Sequence, residues 1–587
     1  MLKLLKNLNK RDYIYVFISA GLIVFQVWLE LKMPDYMSNI TQLVQTRGAS
    51  INDILREGSY MLLCAFGSLV SAFIVGYFTS TIAASFSYRT RGKLFRKVED
   101  ISTFEIKKFS PSSLITRTTN DITQIEFLIA MGLTLMIKAP ITAVWAVTKI
   151  LNKNIEWSIL TGVAVLVLLI TIGIIMMIVM PKFKIVQELM DKINMVMREN
   201  LSGIRVVRAF NAEKYQEDKF ENVNNTLTNQ QVFNQKAFNF LSPVMYLVMY
   251  FLTLGIYFIG AMLINEANMG DKIVLFGNMI VFSSYAMQVI MSFLMLAMIF
   301  MMLPRASVSA KRINEVFDTP ISVKEGNVTM NNSDIKGCVE FKNVSFKYPD
   351  ADEYVLEDIS FKVNKGETIA FIGSTGSGKS TLINLIPRFY DATSGEILIN
   401  GIDVRDYSFE YLNNIIGYVP QKATLFSGDI LSNVSFGKNI DGKPSNKKIA
   451  DALRVSQASE FVSKLEDGEK SHIAQGGTNI SGGQKQRLSI ARTIARNPEI
   501  YIFDDSFSAL DYKTDSTLRR ELREYTKDAT VMIVAQRIGT ILNADKIVVL
   551  DNGKCVGVGT HNELMKKCKV YKEIALSQVS KEELENV

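Results

Sequence analysis

Residues 373–381, GSTGSGKST, match the pattern G-x-x-x-x-G-K-[ST]. Glycines at this spacing let backbone N–H groups wrap a run of phosphates. Lys379 then reaches the terminal phosphates, and the Ser380 hydroxyl can ligate magnesium. The run TIAFI before the loop reads as a buried strand and LINLIPRFY after it as a helix, the setting such a loop needs. Gly373, Ser374, Thr375, Gly376, Ser377, Gly378, Lys379, Ser380 and Thr381 are therefore candidate nucleotide-binding positions.

Two further stretches bear on the same chemistry. In YIFDDSFSALD, residues 501–511, three apolar positions lead to Asp504, as if a buried strand carried a magnesium-binding carboxylate to its exposed end. The next position calls for a carboxylate long enough to reach a water molecule. It holds Asp505, one methylene shorter than glutamate. Upstream, NISGGQKQRLSIAR (479–492) opens a basic helix at Ser481 and a glycine pair, a second anion-friendly N-terminus. Alone, SGGQ reads equally as an ordinary turn before a helix; its place between the phosphate loop and Asp504 changes the weighting.

These residues need a scaffold, and the composition describes an uneven one. Of 587 residues, 48% are hydrophobic and 21% charged, an oily balance for a chain of this length. The net charge of +7 is modest and its basic residues dispersed, which argues against nucleic acid as a partner. The four cysteines show no metal or disulfide spacing, consistent with a reduced, cytosol-facing chain. Charge-free runs at 13–29, 58–88, 157–181, 237–265 and 273–304, with 127–148 interrupted only by Lys138, give six candidate membrane spans. The first is read as uncleaved. Residues 85–128 hold eight Lys/Arg against five acids, which places the N-terminus and the long segments 89–126 and 182–236 in the cytoplasm. Those segments read as helices continuing out of the membrane, broken near Gly203. The last span is expected to end at Pro304. The reading is a six-span domain over 1–304, a linker over 305–336, and an α/β nucleotide-binding domain over 337–587.

With these motifs in this order, the chain resembles an ATP-binding cassette (ABC) exporter half-transporter along nearly its whole length. The resemblance implies an all-α six-helix membrane domain with long cytoplasmic extensions, followed by an α/β P-loop domain. It implies ATP and Mg2+ as cofactors. Tyr348 would stack on adenine; Gln421, in GYVPQKATLFSG, would contact magnesium beside Ser380 and Asp504. Ser481, Gly482, Gly483 and Gln484 would close over ATP held by another subunit, and Asp511 would end the catalytic stretch. SSLITRTTND (112–121) and the turn in RAFNAEKY (208–215) resemble the short coupling helices of such exporters.

The chain departs from that pattern where hydrolysis occurs. Asp505 stands for the catalytic glutamate and Gln536, in VAQRIG, for the switch histidine; Gln475 stands where a glutamate is common. The two histidines, His472 and His561, do not follow that strand, and His561 reads as structural. Aspartate reaches less far, and glutamine cannot carry positive charge. The pattern resembles the degenerate-site member of a heterodimeric bacterial multidrug-type exporter in the cell membrane, moving amphipathic drug-like or lipid-like compounds. A slow homodimeric exporter and an ATP-gated channel or regulatory subunit are the alternatives. In the membrane half, Met287, Met291, Met295, Met298, Met301 and Met302 form a face that suits either packing or a drug pocket. Lys138, beside Pro140, reads either as a functional cation or as a snorkelling one.

Overall fold

The computed structural model describes residues 2–46, 50–151, 155–331, 335–437 and 442–578. The chain forms two compact units. One comprises residues up to Glu99 with Ser110–Thr319, the other Asp100–Phe109 with the chain from Pro320 onward.

Six helices of the first unit are long and apolar enough to cross a membrane: α1 (Lys10–Gln45), α2 (Ile51–Asp100), α3 (Pro111–Leu151), α4 (Ile155–Ser202), α5 (Glu213–Glu266) and α6 (Met269–Asp318). Asn9 begins α1 with a capping box closed by Asp12, whose carboxylate also pairs with Arg89 of α2. Where helices meet, small residues let them approach. A Cβ on Gly260 would lie 2.5 Å from Met279 Sδ, so a side chain there would have to displace Met279 from between α5 and α6. Trp157 and Phe282 pack in the same core with centroids 5.3 Å apart.

α6 continues as helix through Pro304 to Asp318, and Pro34, Pro140, Pro181 and Pro243 also lie inside helices. A proline removes one backbone donor, and neighbouring helices and local adjustment absorb that loss. Lys138 Nζ pairs with Glu30 Oε1 at 2.8 Å, an oxygen that also accepts from Gln26 (2.9 Å) and Ser68 (3.2 Å). Lys149 pairs with Asp35 at 3.0 Å, and the Tyr285 hydroxyl donates to the same carboxylate at 2.8 Å. On the methionine face, Met291 and Met298 are exposed, while the side chain of Met301 lies outside the described ones.

Among the described residues the second unit has twelve strands: β1 (Val339–Phe346), β2 (Leu356–Val363), β3 (Thr368–Gly373), β4 (Ser394–Ile399), β5 (Ile402–Asp403), β6 (Ile416–Val419), β7 (Gly428–Asp429), β8 (His472–Ile473), β9 (Ile500–Asp504), β10 (Thr530–Val534), β11 (Lys546–Asp551) and β12 (Lys554–Gly559). Ten make one sheet, ordered β5-β4-β1-β2-β12-β11-β3-β10-β9-β6; β7 and β8 form a separate ribbon. The stretch β11-β3-β10-β9-β6 is parallel. Every residue of β9 and β10 is buried, as expected of parallel strands covered on both faces.

Candidate nucleotide site

β3, β10, β9 and β6 are neighbours running the same way, so their C-terminal ends share one edge, the side on which open α/β sheets bind ligands. β3 delivers the phosphate loop, β9 Asp504, β10 Gln536 and β6 Gln421.

The loop's shape depends on glycine. Gly376 and Gly378 have φ of +85° and +93°, and a Cβ on Gly378 would lie 2.7 Å from Leu356 Cδ2 and 3.0 Å from the Val355 carbonyl. Helix α7 (Lys379–Leu385) follows. The buried Lys379 ammonium donates to the carbonyls of Gly373 (2.9 Å) and Ser374 (2.7 Å). Burial pushes its pKa down, against the pull of Asp505 and Asp504. Thr381 Oγ1 lies 3.1 Å from the Tyr348 hydroxyl, and the Tyr348 ring meets Phe346 and Tyr390 edge-on.

Ser380 Oγ donates to Asp504 Oδ1 at 3.0 Å. Burial raises the Asp504 pKa, with the charge of Asp505 adding and the Ser380 bond opposing. Among the described residues no cluster of three or more His, Cys, Asp or Glu could hold a metal alone. The Ser380–Asp504 pair fits a cation that takes its other ligands from phosphate and water, the usual habit of magnesium.

Asp505 is buried and left-handed, with φ +46°, and its N–H donates to the Val534 carbonyl at 3.0 Å. Its Oδ2 accepts from two amides, Gln421 Nε2 at 3.2 Å and Gln536 Nε2 at 2.9 Å. Gln536 is itself held, because Gln578 donates to its carbonyl (2.7 Å) and accepts from the Ile538 N–H (2.9 Å).

The signature residues stand apart from this cluster. Ser481 is exposed and caps helix α8 (Gly482–Arg496): its Oγ accepts the Gln484 N–H at 3.3 Å, and Gln484 Oε1 accepts the Ser481 N–H at 3.0 Å. Gly482 is exposed; a Cβ on Gly483 would lie 3.3 Å from the Ala509 carbonyl. Asp511 is also exposed and caps helix α9 (Tyr512–Tyr525) by accepting the Thr514 N–H at 3.0 Å, which lowers its pKa. Among the described residues no hydrogen bond joins Ser481, Gly482, Gly483, Gln484 or Asp511 to the phosphate loop.

Two family models match the chain: the ABC transporter transmembrane region over residues 15–316 and the ABC transporter model over residues 356–508. It belongs to the ABC transporter family. This half-transporter is 39% identical over 554 residues to an uncharacterised ABC transporter ATP-binding protein of Mycobacterium tuberculosis, covering 92% of this chain and 93% of that one. It is 30% identical over 509 residues to an ATP-dependent lipid A-core flippase of Pseudomonas aeruginosa, covering 86% and 82%. Its fold matches that of a bacterial Atm1-family ABC exporter solved with ATP bound, with a TM-score of 0.81 at 22% identity, over 96% of this chain and 98% of that chain. The half-transporter is thus an ATP-driven, multi-pass membrane exporter whose ABC ATPase is coupled to transport, and it works with a dimer partner.

Several residues that shape the site escaped the sequence. Tyr418, next to Asp504, has its phenol pKa raised by burial and by that carboxylate, and its hydroxyl donates to Asn384 at 3.1 Å. Ser506 ties the segment after β9 to the Val419 carbonyl at 3.1 Å. Gln578 carried no motif at all. Nor did Lys107: its Nζ donates to the Tyr390 hydroxyl at 2.9 Å, a bond that raises its pKa. Asp100–Phe109 belongs to the nucleotide-binding unit of the half-transporter, whereas both segments expected to couple, 112–121 and 208–215, belong to the membrane unit. His561 is buried against the Tyr571 hydroxyl (2.7 Å), a structural placement.

Proposed function

We propose that this half-transporter is the degenerate-site member of a heterodimeric exporter of amphipathic, drug-like or lipid-like compounds. Its own phosphate loop holds ATP for binding more than for turnover, while its signature completes the competent site of a partner chain. The observation that carries this reading is the engagement of Asp505. Its carboxylate is already the shorter one, and two glutamine amides occupy the oxygen that would take a proton from water. A general base held in this way is short in reach, and its Oδ2 already accepts two hydrogen bonds that abstraction of a proton through that oxygen would have to displace.

In this reading Ser380, Asp504 and Gln421 hold Mg2+, which when bound offsets charge on the phosphates. Lys379 neutralises the terminal phosphates, exchanging its loop carbonyls for them, and Tyr348 offers its ring to the base. Ser481 and the glycines after it present donors to the partner's nucleotide. The loops between α2 and α3 and between α4 and α5, the N-terminus and the nucleotide-binding unit lie in the cytoplasm of a cell-membrane protein, as the positive charge of residues 85–128 supports.

The deciding experiment is purification of the native complex, identification of the second chain, and assay of ATP-driven efflux in inside-out vesicles. A different ABC half-transporter with an intact glutamate and histidine is expected. A complex of this chain alone that pumps at full rate would replace the heterodimer with a homodimer.

A further inference from the structure

A cavity of about 570 Å³ opens in the membrane unit among α4, α5 and α6. Phe183 and Val186 line it from α4, Asn234 and Phe238 from α5, and Arg305 from α6. These positions share one level along the helices. The charge-free runs end at 181 in α4 and 304 in α6 and begin at 237 in α5, so the cavity sits where all three helices leave the apolar layer.

Its lining is chemically divided. Phe183 and Phe238 pack with centroids 6.0 Å apart and, with Val186, give an apolar wall. Arg305 is exposed, and among the described residues no carboxylate pairs with it. Asn234 is only 6% exposed, yet its Oδ1 has no hydrogen-bond partner. A guanidinium without an acid selects carboxylate or phosphate, which it can bind bidentately. The volume lies within the range of about 300–1,000 Å³ usual for small-ligand sites.

We propose that this cavity is a binding site for an acidic amphiphile, with a carboxylate or phosphate head on Arg305 and an apolar tail against Phe183 and Phe238. The proposal deepens the exporter reading by naming a substrate class, and it rests on that reading only for the claim that the occupant is cargo.

The test measures binding without transport. The purified complex, in phosphatidylcholine nanodiscs without ATP, is photolabelled with a diazirine-bearing 2-hydroxyhexadecanoic acid or with the matching neutral 1,2-diol, and labelled peptides are mapped. The acid should label residues 183–186 or 231–238 at least tenfold more than the diol. Arg305→Gln should bring the acid down to the diol's level while Arg305→Lys keeps most of it, with ATP binding intact in both. Equal labelling by acid and diol in the native protein overturns the proposal, as does undiminished labelling of Arg305→Gln. Adding phosphatidylglycerol separates two sources of the same chemistry: competition points to an acidic bilayer lipid, persistence to a free amphiphile, and either agrees with the site. Loss of efflux with labelling intact would sink the exporter reading and leave the site standing.

Discussion

Gln536 Nε2 donates to Asp505 Oδ2 across 2.9 Å, so the two residues that the proposed function treats as departures from a catalytic pair are bonded to each other. An amide and a carboxylate in this arrangement form a stable neutral-donor contact with no proton to exchange. Asp505→Ala in the assembled complex should therefore change how much nucleotide stays bound at this site more than it lowers maximal turnover. Mutating the partner chain's catalytic glutamate should nearly abolish ATPase, because the barrier there depends on a working base. Nucleotide occupancy and steady-state ATPase of the two mutants decide this, and equal, near-total losses would show that the sites are equivalent.

The converse change adds function. Asp505→Glu lengthens the acid by one methylene, and Gln536→His replaces an amide that cannot ionise. Together they should raise hydrolysis at this site by up to about 10²–10⁴-fold, the range a positioned general base supplies. Measuring this against a partner disabled at its own glutamate isolates the gain. No gain would place the defect elsewhere, with Gln475 the next residue to change.

Asp504 gives a pH-dependent prediction. Burial, with Asp505 adding, raises its pKa above the ordinary 3.8, so the folded protein binds this proton more tightly than the unfolded chain. The charged form then costs stability above the raised value, and the cost disappears as pH falls through it toward 3.8. Asp504→Asn keeps the Ser380 partner and removes the charge. Without nucleotide it should raise the unfolding midpoint at pH 7 by ~2–4 °C, the size of about 1 kcal/mol in a domain of this size. That gain should shrink toward pH 4, and Mg-ATP should no longer stabilise the protein. A lower midpoint at pH 7 would mean that Ser380 and Lys379 outweigh the burial.

In the membrane unit, Lys138 and Glu30 are 17% and 23% exposed and bonded at 2.8 Å. Lys138→Met leaves Glu30 charged with only Gln26 and Ser68 as donors. Breaking one side of a buried pair costs about 3–5 kcal/mol, whereas removing both charges is often neutral. Thermal unfolding in detergent should show a large loss for Lys138→Met and recovery in Lys138→Met/Glu30→Gln. Equal losses in both would assign Lys138 a role beyond pairing.

The parts of the candidate nucleotide site are local words: a glycine loop, an acidic strand end, a capping signature, each fixed by residues within a few positions. The spans were legible because lipid tolerates few charges, so 157–181 and 273–304 stand out by composition alone. What escaped is held by distant pairs. Gln578 reaches Gln536 across 42 positions, and Lys107 reaches Tyr390 across 283, with no periodicity to mark either. The helix at Thr103–Ile106 is one turn long, too short for an amphipathic pattern to mark it. Lys138 was visible, but its partner Glu30 lies just past a charge-free run and read as the end of a span.

Under the proposed function the signature acts at the partner's site, which would give Ser481 two roles that one experiment must separate. As a helix cap it is worth about 0.5–2 kcal/mol of stability. As a hydroxyl at the exposed start of α8 it can donate to a transferring phosphoryl group, and losing one such donor can cost ~10²–10³ in rate. Ser481→Ala removes both; Ser481→Asn keeps a good cap but not the hydroxyl. Both should cripple ATPase and efflux of the heterodimer, while only Ser481→Ala lowers the unfolding midpoint. Gly483→Asp should do the same to turnover, since its Cβ would lie 3.3 Å from the Ala509 carbonyl and its charge would face the phosphates. ATP should still bind at Lys379 in all three. If Ser481→Asn hydrolyses ATP at the native rate, the serine is a cap only. If Gly483→Asp does so too, this signature does not serve the competent site, and the polarity of the heterodimer must be reversed.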